Sequence, residues 1–191
     1  YSKYVGSIRI MNIFVIDENP IIAAKEHCDK HVVKMILESG QMLSTAHRIL
    51  DGNEERVPSV SGKTMSRYWR LDDYREPILY RAVHMKHPCT IWTMESSANY
   101  KWHYRLFEEL CNEFTYRYGK VHSTDKKLRK ILKNFPFNIP IKEKTPFKLA
   151  MGSNPECMDY DNPVQSYRAF YKTKQERFSM TWKKRPTPAW F

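Results

Sequence analysis

An apolar stripe near the N-terminus limits the fold more than any other feature. Ile21, Ala24, Cys28, Val32, Met35, Ser39, Met42 and Ala46 recur at steps of three and four, which is the period of one helix face. The stripe predicts one long helix over residues 20–50, with Asn19 as its cap and Pro20 at the first position. Gly40 is where this helix is expected to bend or divide. Ile91, Met94, Ala98, Trp102, Leu106, Leu110 and Phe114 form a second stripe, so residues 89–118 read as a helix or helix pair stopped at Gly119. A basic helix follows over 125–134, capped by Ser123 or Thr124, with Leu128, Ile131 and Leu132 facing inward. A last helix is expected over 164–178, opened by Asp161-Asn162-Pro163.

The remaining segments are shorter. Met11-Asn-Ile-Phe-Val-Ile-Asp17 is apolar and β-branched and reads as a buried strand. A lone strand needs a partner, so a small hairpin or a pairing with residues 55–70 is expected. Residues 51–66 look like a loop, and 76–84 like a short helix. Ser61-Gly-Lys-Thr64 resembles the end of a phosphate loop, but Val57 stands where the upstream glycine is required. Only 6 glycines occur in the chain, which argues against a turn-dense β architecture. The expected fold is therefore mainly α: a single-domain helical bundle over residues 11–191 with one short N-terminal β-strand or hairpin. Residues 1–10 are read as an extension ahead of it, without a signal-peptide pattern.

Charge narrows the partner. The formal net charge is +11, which points to nucleic acid, most simply DNA, or to a nucleotide. No apolar run approaches the roughly 18 residues of a membrane span, so no membrane partner is expected. The 4 cysteines show no C-x-x-C pairing and read as reduced core thiols. From 164 to 191 there are 7 Lys or Arg against 1 Glu, with 7 aromatic residues among them. Alternating cations and rings suit phosphate contact plus base stacking. The expected nucleic-acid-binding set is Arg117, Tyr118, Lys120, Lys126, Lys127, Lys130, Arg168, Lys172, Arg177, Lys183, Lys184 and Arg185. The competing expectation packs the C-terminal rings on the core and leaves the charges in solvent.

The densest group of proton-active side chains is His27-Cys-Asp-Lys-His-Val-Val-Lys-Met35. His31 titrates near neutral pH in its unperturbed state and is the natural acid or base. Lys30 and Lys34 would hold a phosphate, or Lys34 would act as an amine nucleophile if buried. His87 and Asn99 are expected to approach this group, Asn99 orienting a substrate. His27 and His31 are spaced i, i+4, which suits one metal ion, and His84 with His87 would complete a four-nitrogen site. Asp29 lies about 200° around a helix from His31 and cannot easily join them. The pattern requires no cofactor, a divalent metal being the one candidate.

Several motifs together carry a resemblance. The order of Met11-Asn-Ile-Phe-Val-Ile-Asp17, Cys28-Asp-Lys-His-Val-Val-Lys-Met35, His87-Pro-Cys-Thr-Ile-Trp92, Asn99-Tyr-x-Trp102 and Phe114-Thr-Tyr-Arg-Tyr-Gly-Lys120 resembles a family of small proteins of tailed bacteriophages. Pro188-Ala-Trp-Phe191 fits it as well. The resemblance runs over residues 11–191. It implies a phage-encoded protein in the cytoplasm of an infected bacterium, where DNA metabolism and host takeover are common tasks, and it implies no particular reaction. The architecture is also similar to small basic DNA repair glycosylases of phages, without a shared motif. Two expectations follow: a nucleic-acid- or nucleotide-processing enzyme of glycosylase, nuclease or base-modifying type, or a non-catalytic DNA-binding or host-takeover protein.

Overall fold

The computed structural model describes residues 11–191, so the expected extension over 1–10 lies outside the described residues. The fold is mainly α with one two-stranded antiparallel hairpin. Helix α1 (Pro20–Glu26) leads into α2 (Asp29–Asp51). The hairpin β1 (Asn53–Pro58) and β2 (Met65–Arg70) follows. Then come α3 (Pro88–Glu95), α4 (Ser97–Tyr118), α5 (Ser123–Leu132) and α6 (Pro163–Lys172), which ends in a 3-10 turn over Thr173–Glu176. Helix α2 is the hub, packed on α3, α4 and α5, while α1 packs on α4. Their facing stripes supply one continuous core, from Val32, Ile36 and Leu43 to Leu106, Leu110 and Leu128.

The first long helix divides at His27–Cys28, not at Gly40. Both residues are extended, and outside groups take up the backbone amides there. The Cys28 amide donates to the Tyr171 hydroxyl (2.9 Å), and the Asp29 amide to the Thr181 carbonyl (2.8 Å). A tertiary partner has replaced the helical one. Gly40 lies inside α2 for a packing reason. A Cβ there would stand 2.8 Å from Thr124 Cγ2 and 3.2 Å from Leu128 Cδ1, so the missing side chain admits α5.

Residues 11–17 form no strand. They run extended and buried through residue 16, with side chains serving as hydrogen-bond partners. Asn12 Oδ1 accepts the Ile13 amide, and Arg168 Nε donates to the Ile16 carbonyl. Burial on all sides explains the unbroken apolar run. The hairpin instead lies in the expected loop, pairing Asn53 with Arg70 through Pro58 with Met65. Its strands lack an apolar alternation because charges tie them. Arg67 grips Glu54, and Arg70 grips Glu55.

Residues 76–84 are a turn followed by irregular chain, not a helix. Arg48, 1% exposed, explains why. Its guanidinium donates to the carbonyls of Trp69, Glu76, Leu79 and Tyr80 and to the Glu76 carboxylate, so the segment wraps a cation. The second stripe is a helix pair broken at Ser96, whose side chain caps α4. Gly119 ends α4 at φ 68, a left-handed position that glycine takes without steric cost. His122, not Ser123 or Thr124, caps α5. Helix α6 stops earlier than expected, at Lys172.

Candidate nucleic-acid interface

The His27–Met35 segment sits where α1 passes into α2, under α6 and the C-terminal tail. His31 is 4% exposed. Its ring stacks on Phe14 at 4.8 Å with 13° between planes, and meets Tyr171 and Phe178 edge-on. Its Nδ1 is sealed without a hydrogen-bond partner among the described residues. Burial, reinforced by His27, Lys34, Lys174 and Lys30, drives its pKa far below the usual imidazole range. Burial thus favours the neutral imidazole and seals its Nδ1 from solvent, which argues against the acid role expected of His31 and leaves the base role without an open path to a substrate. His27 is also fully buried. Its Nδ1 donates to the Ala23 carbonyl (2.6 Å), and burial lowers its pKa to about 4.

Lys30 and Lys34 are exposed. Lys30 Nζ stands 4.3 Å from the Phe178 ring centre, and Lys34 Nζ is 3.5 Å from Glu38. Lys34 is thus an ion-paired surface cation, not a buried amine. The half-buried amine is Lys174, which the sequence reading passed over. Its Nζ lies 4.0 Å over Phe170 and 5.9 Å from Phe14. Burial, then Arg177 and Lys34, lower its pKa to about 8. The one available signal was a lysine four residues after an aromatic residue on a helix, a spacing that lays the stem over the ring.

Asn99 and His87 do not join this group. Asn99 is fully buried, its Nδ2 donating to the Trp92 carbonyl and to Thr145 Oγ1 (both 2.8 Å), its Oδ1 accepting the Thr145 amide (2.9 Å). Nothing is left to orient a substrate. His87 caps α3, Nδ1 accepting the Cys89 amide, and burial lowers its pKa. His84 is exposed, at φ 48. Among the described residues no three His, Cys, Asp or Glu side chains converge as a metal site, so His27, His31, His84 and His87 do not form the four-nitrogen set.

The expected binding cations divide in two. Arg117 is 1% exposed. It donates to Glu113 Oε1, Asp29 Oδ1 and the Lys25 carbonyl, each at 2.9 Å, so its charge is enclosed and cannot meet a strand. Arg185 is held on Glu113 through two nitrogens (2.8 and 3.1 Å). Arg168 is spent on the Ile16 carbonyl and Asp17. Lys120, Lys126, Lys127, Lys130, Lys172, Arg177, Lys183 and Lys184 are exposed.

The tail rings mostly turn inward. Trp182 Nε1 donates to the Glu26 carbonyl and Trp190 Nε1 to the Glu26 carboxylate, while Tyr167 and Tyr171 are in the core. Tyr118 is half-buried, with Lys183 Nζ 5.3 Å over it. At the end of α4, Tyr116 is 47% exposed, with Arg185 at 4.3 Å and Lys184 at 5.5 Å.

The Thr181 hydroxyl and the Lys183 amide donate to the Asp29 carboxylate and lay the tail across the start of α2. The cations near His31 are Lys30, Lys34 and Lys174, with Arg177 acting on Lys174, and the tail adds Lys183 by Tyr118 and Lys184 by Tyr116; these cations are grouped as one strip. Among the described residues only Lys34 of these cations has a carboxylate within ion-pair reach. No protein-family model, curated protein or solved structure gives a significant match to the chain.

Proposed function

We propose that the protein binds nucleic acid, as a phage-encoded DNA-binding protein, through the strip from Lys34 and Lys174 to Lys184. The observation that carries this reading is the crowding of Lys30, Lys34, Lys174 and Arg177 around the His31 aromatic nest with a single carboxylate partner among them. Like charges held together cost free energy that a bound polyanion recovers. Exposed Tyr116 at the far end adds a stacking face. Affinity for a short DNA should fall steeply with salt, its logarithm dropping by about 0.9 per neutralised phosphate per decade. A flat salt response removes nucleic acid as the partner.

A processing reaction on the same partner is the second reading. It is favoured by Lys174, the one amine here that is half-buried, without a carboxylate partner among the described residues and about one-tenth neutral near pH 7 for its pKa of about 8. Lys174→Arg keeps the charge and removes the neutral amine. Turnover of oligonucleotides by the native chain that survives this change would sink an amine mechanism.

A further inference from the structure

Helix α5 carries a second group of cations, outside the strip. A hollow of about 390 Å³ lies between α5 and the turn that holds Tyr74 and Ile78. Lys126, Lys127 and Lys130 line it, with Ile131 beside them. All three lysines are exposed, and the Tyr74 ring is 63% exposed. Lys127 Nζ stands 4.9 Å from the Tyr80 ring.

The helix itself gains nothing from these lysines. Lys126 and Lys130 are spaced i, i+4, where like charges repel. Lys126 and Lys127 close the first turn, at the positive end of the helix dipole. Arg129 on the same helix shows the contrast, with Nε and Nη2 resting on Asp125 at 2.6 and 3.0 Å. The three lysines have no such partner among the described residues. The acids of the facing turn are spent elsewhere. Asp73 is on Arg75, Glu76 is on Arg48, and Asp72 accepts from Asn53. The hollow therefore holds a positive potential that the fold does not use. Solubility alone is served by dispersed charges of both signs and gives no reason for an open ring among three like ones.

We infer that this hollow seats an unpaired nucleic-acid strand, with phosphates on Lys126, Lys127 and Lys130 and a base stacked on Tyr74. The inference deepens the nucleic-acid reading and rests on it. A strand supplies negative charge at intervals and a π-face between the charges, which is what the lysines and the ring together can take up. A duplex keeps its bases paired and leaves the Tyr74 ring unused. An acidic peptide meets the charges and offers the ring no base. The hollow adds to the strip without overlapping it. Helix α5 crosses α2 at Gly40, about 16 Å along the α2 axis from Asp29, where the tail is laid. Groups this far apart contribute independently.

The test is fluorescence anisotropy of the native chain with a labelled oligothymidylate, alone and annealed to oligoadenylate, across a range of salt. Tyr74→Leu should weaken single-strand binding about tenfold and leave duplex binding unchanged. Tyr74→Phe keeps the ring and should bind as the native chain does. Lys126→Gln with Lys130→Gln should lower the single-strand salt slope by about 1.4. It should not lower the thermal midpoint, since a like-charge pair is removed. Combined with Lys183→Gln and Lys184→Gln, the losses in affinity should multiply.

Undiminished single-strand binding by Tyr74→Leu, an equal loss on duplex and single strand, or an unchanged slope in the Lys126 and Lys130 variant would each overturn the inference. So would displacement of the strand by polyglutamate at equal charge concentration, which would assign an acidic protein instead. If Tyr74→Leu loses its helical signal, the lysine variant decides. Losses confined to the hollow variants keep the hollow and reject the strip. Losses confined to the Lys183 and Lys184 variant reject the hollow and keep the strip. A flat salt response to every oligonucleotide rejects both.

Discussion

Arg117 and Lys174 carry the same charge around the same histidine segment, and their surroundings are opposite. Arg117 is enclosed and fully used, its planar fork matched by Glu113, Asp29 and a carbonyl. Lys174 leans on Phe170 with no ion pair among the described residues. Arg48 and Arg75 repeat the first pattern, Arg75 gripping Asp51 and Asp73. Lys30, Lys183 and Lys184 repeat the second. Guanidinium has five donors in a rigid plane and tolerates burial when they are met, whereas ammonium keeps its hydration at the surface. In this chain the arginines of the interior hold loops and tail, and the lysines outside supply the field.

That contrast can be broken most sharply at Arg117. Arg117→Met should cost about 3–5 kcal/mol, because Glu113 and Asp29 lose a buried partner. Urea unfolding would measure it, and a change below about 1 kcal/mol would mean the network is not structural.

Acid tests the enclosed side as a whole. Burial lowers the pKa values of His27 and His47 to about 4 and of His103 to about 3. The chain Arg75 to His47 to Tyr100 to the Leu132 carbonyl fixes one neutral tautomer. Each folded pKa lies below the unfolded value near 6.5, so the unfolded chain binds protons first. The stability these groups contribute is complete above pH 6.5 and is lost as pH falls toward the folded values. The expected loss is up to about 1.4 kcal/mol per pH unit for each histidine. Denaturant midpoints that stay level from pH 7 to 5 would contradict it.

Gly40→Ala probes the close seat of α5 and should cost about 1–3 kcal/mol by overpacking, read from the thermal midpoint. At the exposed end, Lys183→Gln with Lys184→Gln should move stability by no more than about 0.5 kcal/mol. The same pair should lower the salt slope of DNA binding by about 1.8. A large stability loss there would erase the division between the two populations.

The helices were legible where one face alone met the core. Val32, Met35, Ser39, Met42 and Ala46 are all buried on the core face of α2, and Gly119 marks the end of α4, whereas Ile91 of the second stripe is 42% exposed. Residues 11–17 were not legible, because a segment buried on every side has no alternation to read. The hairpin was hidden for the reverse reason, its cross-strand order lying in Glu54–Arg67 and Glu55–Arg70. At the candidate site, Lys30, Lys34, Lys183 and Lys184 were visible as charge. Nothing local separated them from Arg117, whose partners are 4, 88 and 92 residues away along the chain.

The sequence by itself determined a basic, mainly helical chain with its proton-active groups gathered at His27–Met35, since composition and periodicity are local quantities. Only the tertiary structure decided which charges are free. Packing Phe14, Tyr171 and Phe178 around His31 made it neutral, and enclosing Arg117 with Glu113 removed it from the surface. The same packing left Lys174 half-buried and drew the tail across α2. Desolvation and ion pairing depend on what the fold brings from far along the chain, and that is where the character of this segment was set.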